Sequence, residues 1–315
     1  MSLSINTNTS AMVALETLNA TQTALSATEN AVSTGKKVAN ASDSPAVFGI
    51  ASQMNGNISG QGAVNDGLSF ASSVVSSTNS AANQILSVLA EVQAAVTTIG
   101  NNTGSTTSLS QINTEINGYL KQIDTIAQNA TTNGVNLLVG ATARSLAITA
   151  TSLTYVTGLQ GSTATVDNLF ALATSSSMKG TAKHSLSEVL GLAIGDKNGL
   201  ATANAFLSGG VRIGSYAGAG SSFSLTTAIA SVQAAITAMT NVTSSLGQNT
   251  KNIANMSTFG LSVADNLTSG VGALTDADMS SESAKLTSLQ TKQSLAIKSL
   301  SIANGQSQNI LSLFQ

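Results

Sequence analysis

One rhythm constrains this chain more than anything else in it. Val64, Leu68, Ala71, Val75, Thr78, Ala82, Ile85, Leu89, Val92, Val96 and Ile99 follow one another at alternating intervals of four and three. A period of 3.5 residues is the seam of an α-helical coiled coil, and a strand cannot present it. The turn residues "GNNTG" (100–104) predict its end. A second helix is expected from Leu109, Ile112, Ile116, Tyr119, Ile123, Ile126 and Ala130, stopped by "TTNGVN" (131–136). A third follows Leu225, Ile229, Val232, Ile236, Met239, Thr243, Leu246, Thr250 and Ile253; its register then loosens, and "TSGVG" (268–272) is expected to interrupt it.

Both ends carry weaker versions of the same pattern. Near the start the series is Ala11, Leu15, Leu18, Gln22, Leu25, Glu29, Val32. Near the end it is Leu286, Leu289, Gln293, Ala296, Leu300, Ala303, Ser307, Ile310, Phe314. Polar residues interrupt both stripes, and such residues fix register at a cost in stability. Isolated helices are marginal in water, and pairing the two ends still leaves part of each stripe wet. The terminal helices are therefore expected to order fully only against other copies of the chain. Residues 141–222 read differently, as a small mixed domain: "RSLAITATSLTYV" is β-rich, while "SLSEVLGLAI" (185–194) and "LATANAFL" (200–207) read as short helices. The fold class is thus mainly α, with long coiled-coil helices from both termini and a small mixed α/β insert.

Composition excludes several function classes. Only 8% of residues are charged, 12 basic against 14 acidic, and no Lys/Arg cluster exceeds Lys36-Lys37. Nucleic-acid binding needs many cations on one face, so it is not expected. With no Cys, thiolate catalysis, disulfides and Cys-zinc sites are out. No run approaches 18 apolar residues, so no membrane insertion is expected. The opening "MSLSINTNTSAMVALETLNA" lacks a signal peptide's basic and apolar regions. Export, where it occurs, is expected by a route that removes no N-terminal peptide.

Catalytic constellations are equally thin. His184 in "KHSLSE" is the only histidine, so the His-Glu-x-x-His of a zinc peptidase is missing. Asp276 and Asp278 in "TDADM" read better as acids at a helix N-terminus than as a cation site. Gly35-Lys36 lacks the spacing of a phosphate loop, and "GSYAGAG" lacks that of a dinucleotide loop. No nucleophile, base and oxyanion donor assemble. No enzyme and no cofactor are expected. The Ser/Thr of "ATSSSMKG" (173–180) suit an ordinary hydrophilic surface better than O-glycosylation, which stays open as the alternative.

Both ends resemble bacterial flagellin. At the front the resemblance runs through "SINTNTSAMVALETLNATQTALSATENAVSTGKKVANASDSPAVFGIASQM", "NDGLSFASSV" and "INTEINGYLKQIDTIAQNATTNGVNLL"; at the back through "SSLGQNTKNI", "DNLTSG", "LTDADMSSESAKL" and "ANGQSQNILSLFQ". It implies an inner domain of residues 1–44 and 271–315, a second coiled-coil domain of 45–140 and 223–270, and a variable outer insert of 141–222. It implies a secreted homopolymer, the extracellular flagellar filament, exported unfolded by the type III apparatus. Partners would be other copies, an export chaperone, and filament cap and hook-junction proteins. Polymerisation contacts are expected at Leu15, Leu18, Leu25, Val32, Leu286, Leu289, Leu300, Ile310 and Phe314. A hook–filament junction protein shares such termini, and a cell-surface binding module is the other alternative.

Departures from the family pattern are informative. Lys36-Lys37 stands where Leu-Arg or Leu-Lys is usual, and "DSPA" where Asp-Asp-Ala is usual; Pro45 is expected to stiffen that link. Gln306-Ser307 replaces the usual Val-Pro, so the last helix is expected to continue toward Gln315. Flagellins sensed by an animal Toll-like receptor present an Arg and, four residues on, a Leu. Glu91 and Ala95 stand at those positions, while Glu115 matches. Weak or no stimulation of that receptor is expected.

Overall fold

The computed structural model describes residues 8–139, 147–168, 170, 185–195, 201–208, 212–213 and 225–313. The order is α1 (Thr9–Thr34), α2 (Pro45–Asn101), α3 (Thr106–Asn129), β1 (Leu153–Val156), β2 (Thr163–Val166), α4 (Leu186–Val189), β3 (Ala193–Gly195), β4 (Ala201–Asn204), β5 (Leu207–Ser208), β6 (Arg212–Ile213), α5 (Leu225–Thr275) and α6 (Met279–Leu313). The fold is mainly α, as the periodicity requires. The chain divides into unit 1, residues 1–60 with 263–315, and unit 2, residues 61–262.

Unit 2 is organised by the α2 seam. Every one of its expected positions from Val64 to Ile99 is buried, most of them completely. Thr78, the polar member, is sealed at 0% exposure because its Oγ1 donates to the Val74 carbonyl at 2.9 Å. Val74, Val88 and Ala95 extend the buried face, which shares one core with Leu109, Ile116 and Ile123 of α3 and with Val232, Met239 and Leu246 of α5. Gly100 lies so near Leu225 that an added Cβ would stand 2.6 Å from its Cδ2, while Gly260 crowds Gln61 and Asn65 in the same way. Contact at both ends with reversed numbering makes α2 and α5 antiparallel here.

The insert is stitched to α3 by buried polar side chains. Three two-stranded antiparallel ladders pair β1 with β2, β3 with β4 and β5 with β6. Along β1, Leu153 and Tyr155 are buried while Thr154 and Val156 face water. The expected helix over 200–207 is instead β4, a turn and the start of β5. Asn204 decides it: Oδ1 accepts from the Phe206 and Leu207 amides at 2.9 Å, turning the chain. Its Nδ2 donates to Asn113 and Asn117 of α3 at 2.6 and 2.8 Å. Residues 185–194 are helical only over Leu186–Val189, because Gly191 takes φ 75° and the chain enters β3.

In unit 1, α1 and α6 pack along their lengths. They are antiparallel: Asn8 Nδ2 donates to the Ala303 carbonyl at 2.8 Å, and the Ala277 amide donates to Gly35 O at 2.9 Å. Asn8 also caps α1, its Oδ1 accepting from Ala11 N at 3.1 Å, and Gly35 ends it in the left-handed region. The break expected at "TSGVG" does not occur; α5 runs unbroken to Thr275. Its glycines serve close approach rather than turning. Neither Gly270 nor Gly272 has positive φ, and a Cβ on Gly270 would meet Met54 Cε at 2.7 Å.

Candidate polymerisation interface

The seam joining α1 to α6 differs from the one expected for α1. Residues 11, 14, 18, 21, 25, 28 and 32 turn inward, so Ala14, Thr21 and Thr28 replace Leu15, Gln22 and Glu29. Small side chains let two backbones approach, and the larger polar ones stay in water. A 3,4 reading beginning at Ala11 would have revealed this, at the apparent sacrifice of a leucine. Leu25 is buried, Leu18 and Val32 are half-buried, and Leu15 is 48% exposed. On α6 the expected stripe does face α1: Leu289, Ala296 and Ala303 are buried, Leu286 and Leu300 half-buried. Ile310 lies within α6 by its backbone alone, and Phe314 lies outside the described residues.

The pair leaves much apolar surface wet. Met12, Val13 and Leu15 of α1 are 54%, 62% and 48% exposed; Leu295, Ile297 and Ile302 of α6 are 67%, 54% and 70% exposed. Between the helices runs a groove of about 340 Å³, lined by Ser10, Val13 and Thr17 on one side and Lys292, Leu295 and Ser299 on the other. Inside the seam, Thr28 is 1% exposed and its hydroxyl has no partner. An unpaired buried hydroxyl costs roughly 1–3 kcal/mol, which weakens this seam.

A clasp that sequence reasoning did not find ties the two crossings between the helices of unit 1. The Lys37 and Val38 amides both donate to Thr275 O, at 2.7 and 3.3 Å, and the backbones of Lys36 and Asp276 form an isolated antiparallel β-bridge. Lys37 Nζ donates to the Ala273 carbonyl at 3.0 Å, placing a cation at the C-terminus of α5 where the dipole favours it. Asp43 Oδ2 accepts from the Ala39 and Asn40 amides, both at 2.9 Å, just before Pro45 opens α2 at its first helical position. Asp278 accepts from the Ser280 and Ser281 amides at 3.0 and 3.4 Å, the helix-terminal role expected of it.

In unit 2, Glu91 is exposed on α2, whereas Ala95 is buried in the core at 5% exposure. Glu115 accepts from Tyr119 Oη at 3.1 Å, and this bond, with desolvation and the charges of Glu115 and Glu91, raises the Tyr119 phenol above its ordinary pKa. A buried polar cluster also escaped the sequence reading. Asp124 of α3, 0% exposed, accepts from Ser187 N and Ser187 Oγ at 2.8 Å and from Ser185 Oγ at 3.1 Å. It anchors α4 to α3. His184 and residues 173–180 lie outside the described residues.

Comparison with known proteins gives the arrangement its context. The family model for the bacterial flagellin N-terminal helical region matches residues 5–143, and that for the C-terminal helical region matches 229–314. Flagellin FljK of Caulobacter vibrioides is 31% identical over 312 residues, covering 99% of this chain and 98% of its own length. A flagellin of Brucella melitensis is 31% identical over 315 residues, covering 99% of both. Flagellin A of Rhizobium meliloti is 52% identical over an 87-residue stretch, 28% of this chain. Helical regions matched at both ends, and relatives aligned end to end, leave one conclusion: the chain belongs to the bacterial flagellin family, whose members polymerise into the flagellar filament.

Proposed function

We propose that this structural, non-enzymatic protein is exported unfolded through the flagellar type III apparatus and polymerises outside the cell through its terminal helices. Residues 1–44 and 271–315 form the inner domain, residues 45–140 and 223–270 the second coiled-coil domain, and 141–222 the outer insert. An export chaperone covers the C-terminal stripe before secretion, and cap and hook-junction proteins meet the filament at its ends. The inner-domain and polymerisation interface takes in Leu15, Leu18, Leu25, Val32, Leu286, Leu289, Leu300, Ile310 and Phe314, with Leu25 and Leu289 inside the pair and Leu15 toward other copies.

The observation that carries this reading is the wet apolar rim of the α1–α6 pair: six large side chains between 48% and 70% exposed. A patch of that kind on an isolated chain marks an interaction surface, and the weak seam beneath it gains most from being covered. Deleting residues 303–315 is expected to leave a folded monomer that does not polymerise. Normal filaments from that truncation, seen by electron microscopy, would contradict the assignment. The same reading gives weak or no stimulation of the animal Toll-like receptor, since Glu91 offers a carboxylate and buried Ala95 no anchor. A reporter-cell response matching that to a strongly sensed flagellin would overturn this second point.

A further inference from the structure

Helix α3 carries a second heptad stripe beside the one it shares with the core of α2 and α5. Asn113, Asn117, Leu120, Asp124 and Ala127 follow at intervals of four and three, each one residue on from Ile112, Ile116, Tyr119, Ile123 and Ile126. One residue is about 100° round an α-helix, so this stripe meets a different neighbour. Leu120, Asp124 and Ala127 are at most 1% exposed. What covers them is the insert, whose β4 and α4 pack against α3.

The chain beyond α3 reaches that face through a device that occurs three times among the described residues. "NLLV" (136–139), "NLFA" (168–171) and "NAFL" (204–207) each set an Asn two positions before a large apolar residue, at separations of 32 and 36. Every one of these Asn side chains is at most 3% exposed. Their Oδ1 atoms accept from the amides of Leu138, Phe170 and Phe206 at 2.9, 2.8 and 2.9 Å, a side-chain turn that sends those residues inward to 0%, 5% and 1% exposure. Their Nδ2 atoms tie each turn to the layer beneath. Asn136 donates to Ala127 O at 2.7 Å, and Asn204 to Oδ1 of Asn113 and Asn117 at 2.6 and 2.8 Å. Asn168 donates to Val139 O at 2.6 Å, and the Val139 amide is itself held by Asn136.

The residues turned inward do not build a core of their own. Ile148, Leu153, Phe170, Leu186 and Phe206 belong to the same cluster as Leu89 of α2 and Val232 of α5. An insert fastened only at its two ends could be cut away without consequence for the helices. Cutting this one away would uncover the α3 stripe and take Ser185 and Ser187 from the buried carboxylate of Asp124, and buried polar groups left without partners are costly. We propose that residues 148–207 are an obligatory part of unit 2 rather than a removable outer decoration, docked on the second stripe of α3, where Asn113, Asn117 and Asp124 are the residues that receive them. The consequence for assembly rests on the reading that the chain polymerises; the consequence for folding does not.

The test compares the wild-type chain with three variants, by denaturant unfolding of the helical circular-dichroism signal, limited proteolysis and electron microscopy. The first, Asn113→Ala with Asn117→Ala, leaves the Asn204 turn intact but removes its acceptors on α3. Cleavage within 148–207 is expected to speed up roughly ten- to hundredfold, and the helical transition to move to lower denaturant along with it. The second replaces 148–207 by a flexible Gly-Ser linker; it is expected to lose the cooperative helical transition of unit 2 and to form no filaments. The third inserts a short Gly-Ser peptide between Gln160 and Gly161, at the exposed turn joining β1 to β2; it is expected to unfold and assemble like wild type, since lengthening a surface loop costs little. A linker variant that unfolds at the wild-type midpoint and builds filaments overturns the proposal. So does a double variant whose insert is cleaved faster while its helical transition stays in place, or a turn insertion as damaging as the double variant. Wild-type protein that never polymerises overturns the polymerisation reading, and the shift in the helical transition still decides the role of the insert.

Discussion

In unit 2 the α2 seam holds Val75, Ile85, Leu89 and Val92 at 0% exposure, and its one hydroxyl, on Thr78, is hydrogen-bonded. In unit 1 the seam between α1 and α6 puts Leu25 at 8% and Leu289 at 9%; of its two buried hydroxyls, Thr21 donates to the Thr17 carbonyl at 2.8 Å and Thr28 is orphaned. Both seams have heptad spacing, so periodicity alone does not separate them. What separates them is side-chain size and what lies outside the stripe. Unit 2 encloses the large aliphatics of its seam among three helices and an insert, while Phe70, Phe259 and Leu261 stay exposed outside it. Unit 1 seals its seam with Ala and Thr and leaves Val13, Leu295 and Ile302 in water. The first seam is complete within one chain; the second leaves apolar surface uncovered, as the proposed polymerisation requires.

That contrast can be attacked from its strong side first. Leu89→Ala empties a fully buried site and should destabilise the monomer by about 2–5 kcal/mol in denaturant unfolding. Leu300→Ala, on the half-buried α6 stripe, should move monomer unfolding by about 1 kcal/mol or less yet raise the critical concentration for polymerisation. Equal destabilisation of the monomer by the two would erase the distinction. Next in size, Asp124→Ala removes the acceptor that holds Ser185 and Ser187 and leaves their donors buried. A loss of roughly 2–3 kcal/mol is expected, read as a lower unfolding midpoint together with protease cleavage near α4.

Smaller effects sharpen the picture at the clasp and on the surface. Lys37→Met deletes the cation at the α5 C-terminus and should cost about 0.3–1 kcal/mol, visible as faster amide exchange near Thr275 rather than as a lower global Tm. Glu115→Gln should bring the Tyr119 phenol back toward its ordinary value in an ultraviolet pH titration. The sign follows from the raised pKa: with Glu115 present, the neutral phenol is favoured in the folded state. Its small contribution is complete below the unfolded phenol pKa and is lost as pH rises through the folded one.

Much of the helical framework was legible because burial in a long helix obeys one period. The α2 seam could be read residue by residue, and the α6 stripe from Leu286 to Ala303 likewise. Legibility failed where hydrogen bonds or small residues decide. Thr21 and Thr28 look solvent-facing until two helices need to approach closely, so Leu15 was placed on the wrong side of the α1 seam. Gly270 and Gly272 look like breakers but are contact glycines under Met54 and Asp276. Asn204 turned an apparent helix into two strands through bonds to α3, which lies far away in sequence. The Lys37 clasp and the Asp124 anchor have no local signal, because both join residues more than sixty positions apart.

Amide hydrogen exchange on monomer and on polymer tests the central contrast most directly. The account predicts that in the monomer residues 9–34 and 279–305 exchange rapidly while residues 64–99 and 228–253 are strongly protected, and that polymerisation protects the terminal helices as well. Terminal helices already as protected in the dilute monomer as the unit 2 seam would contradict it.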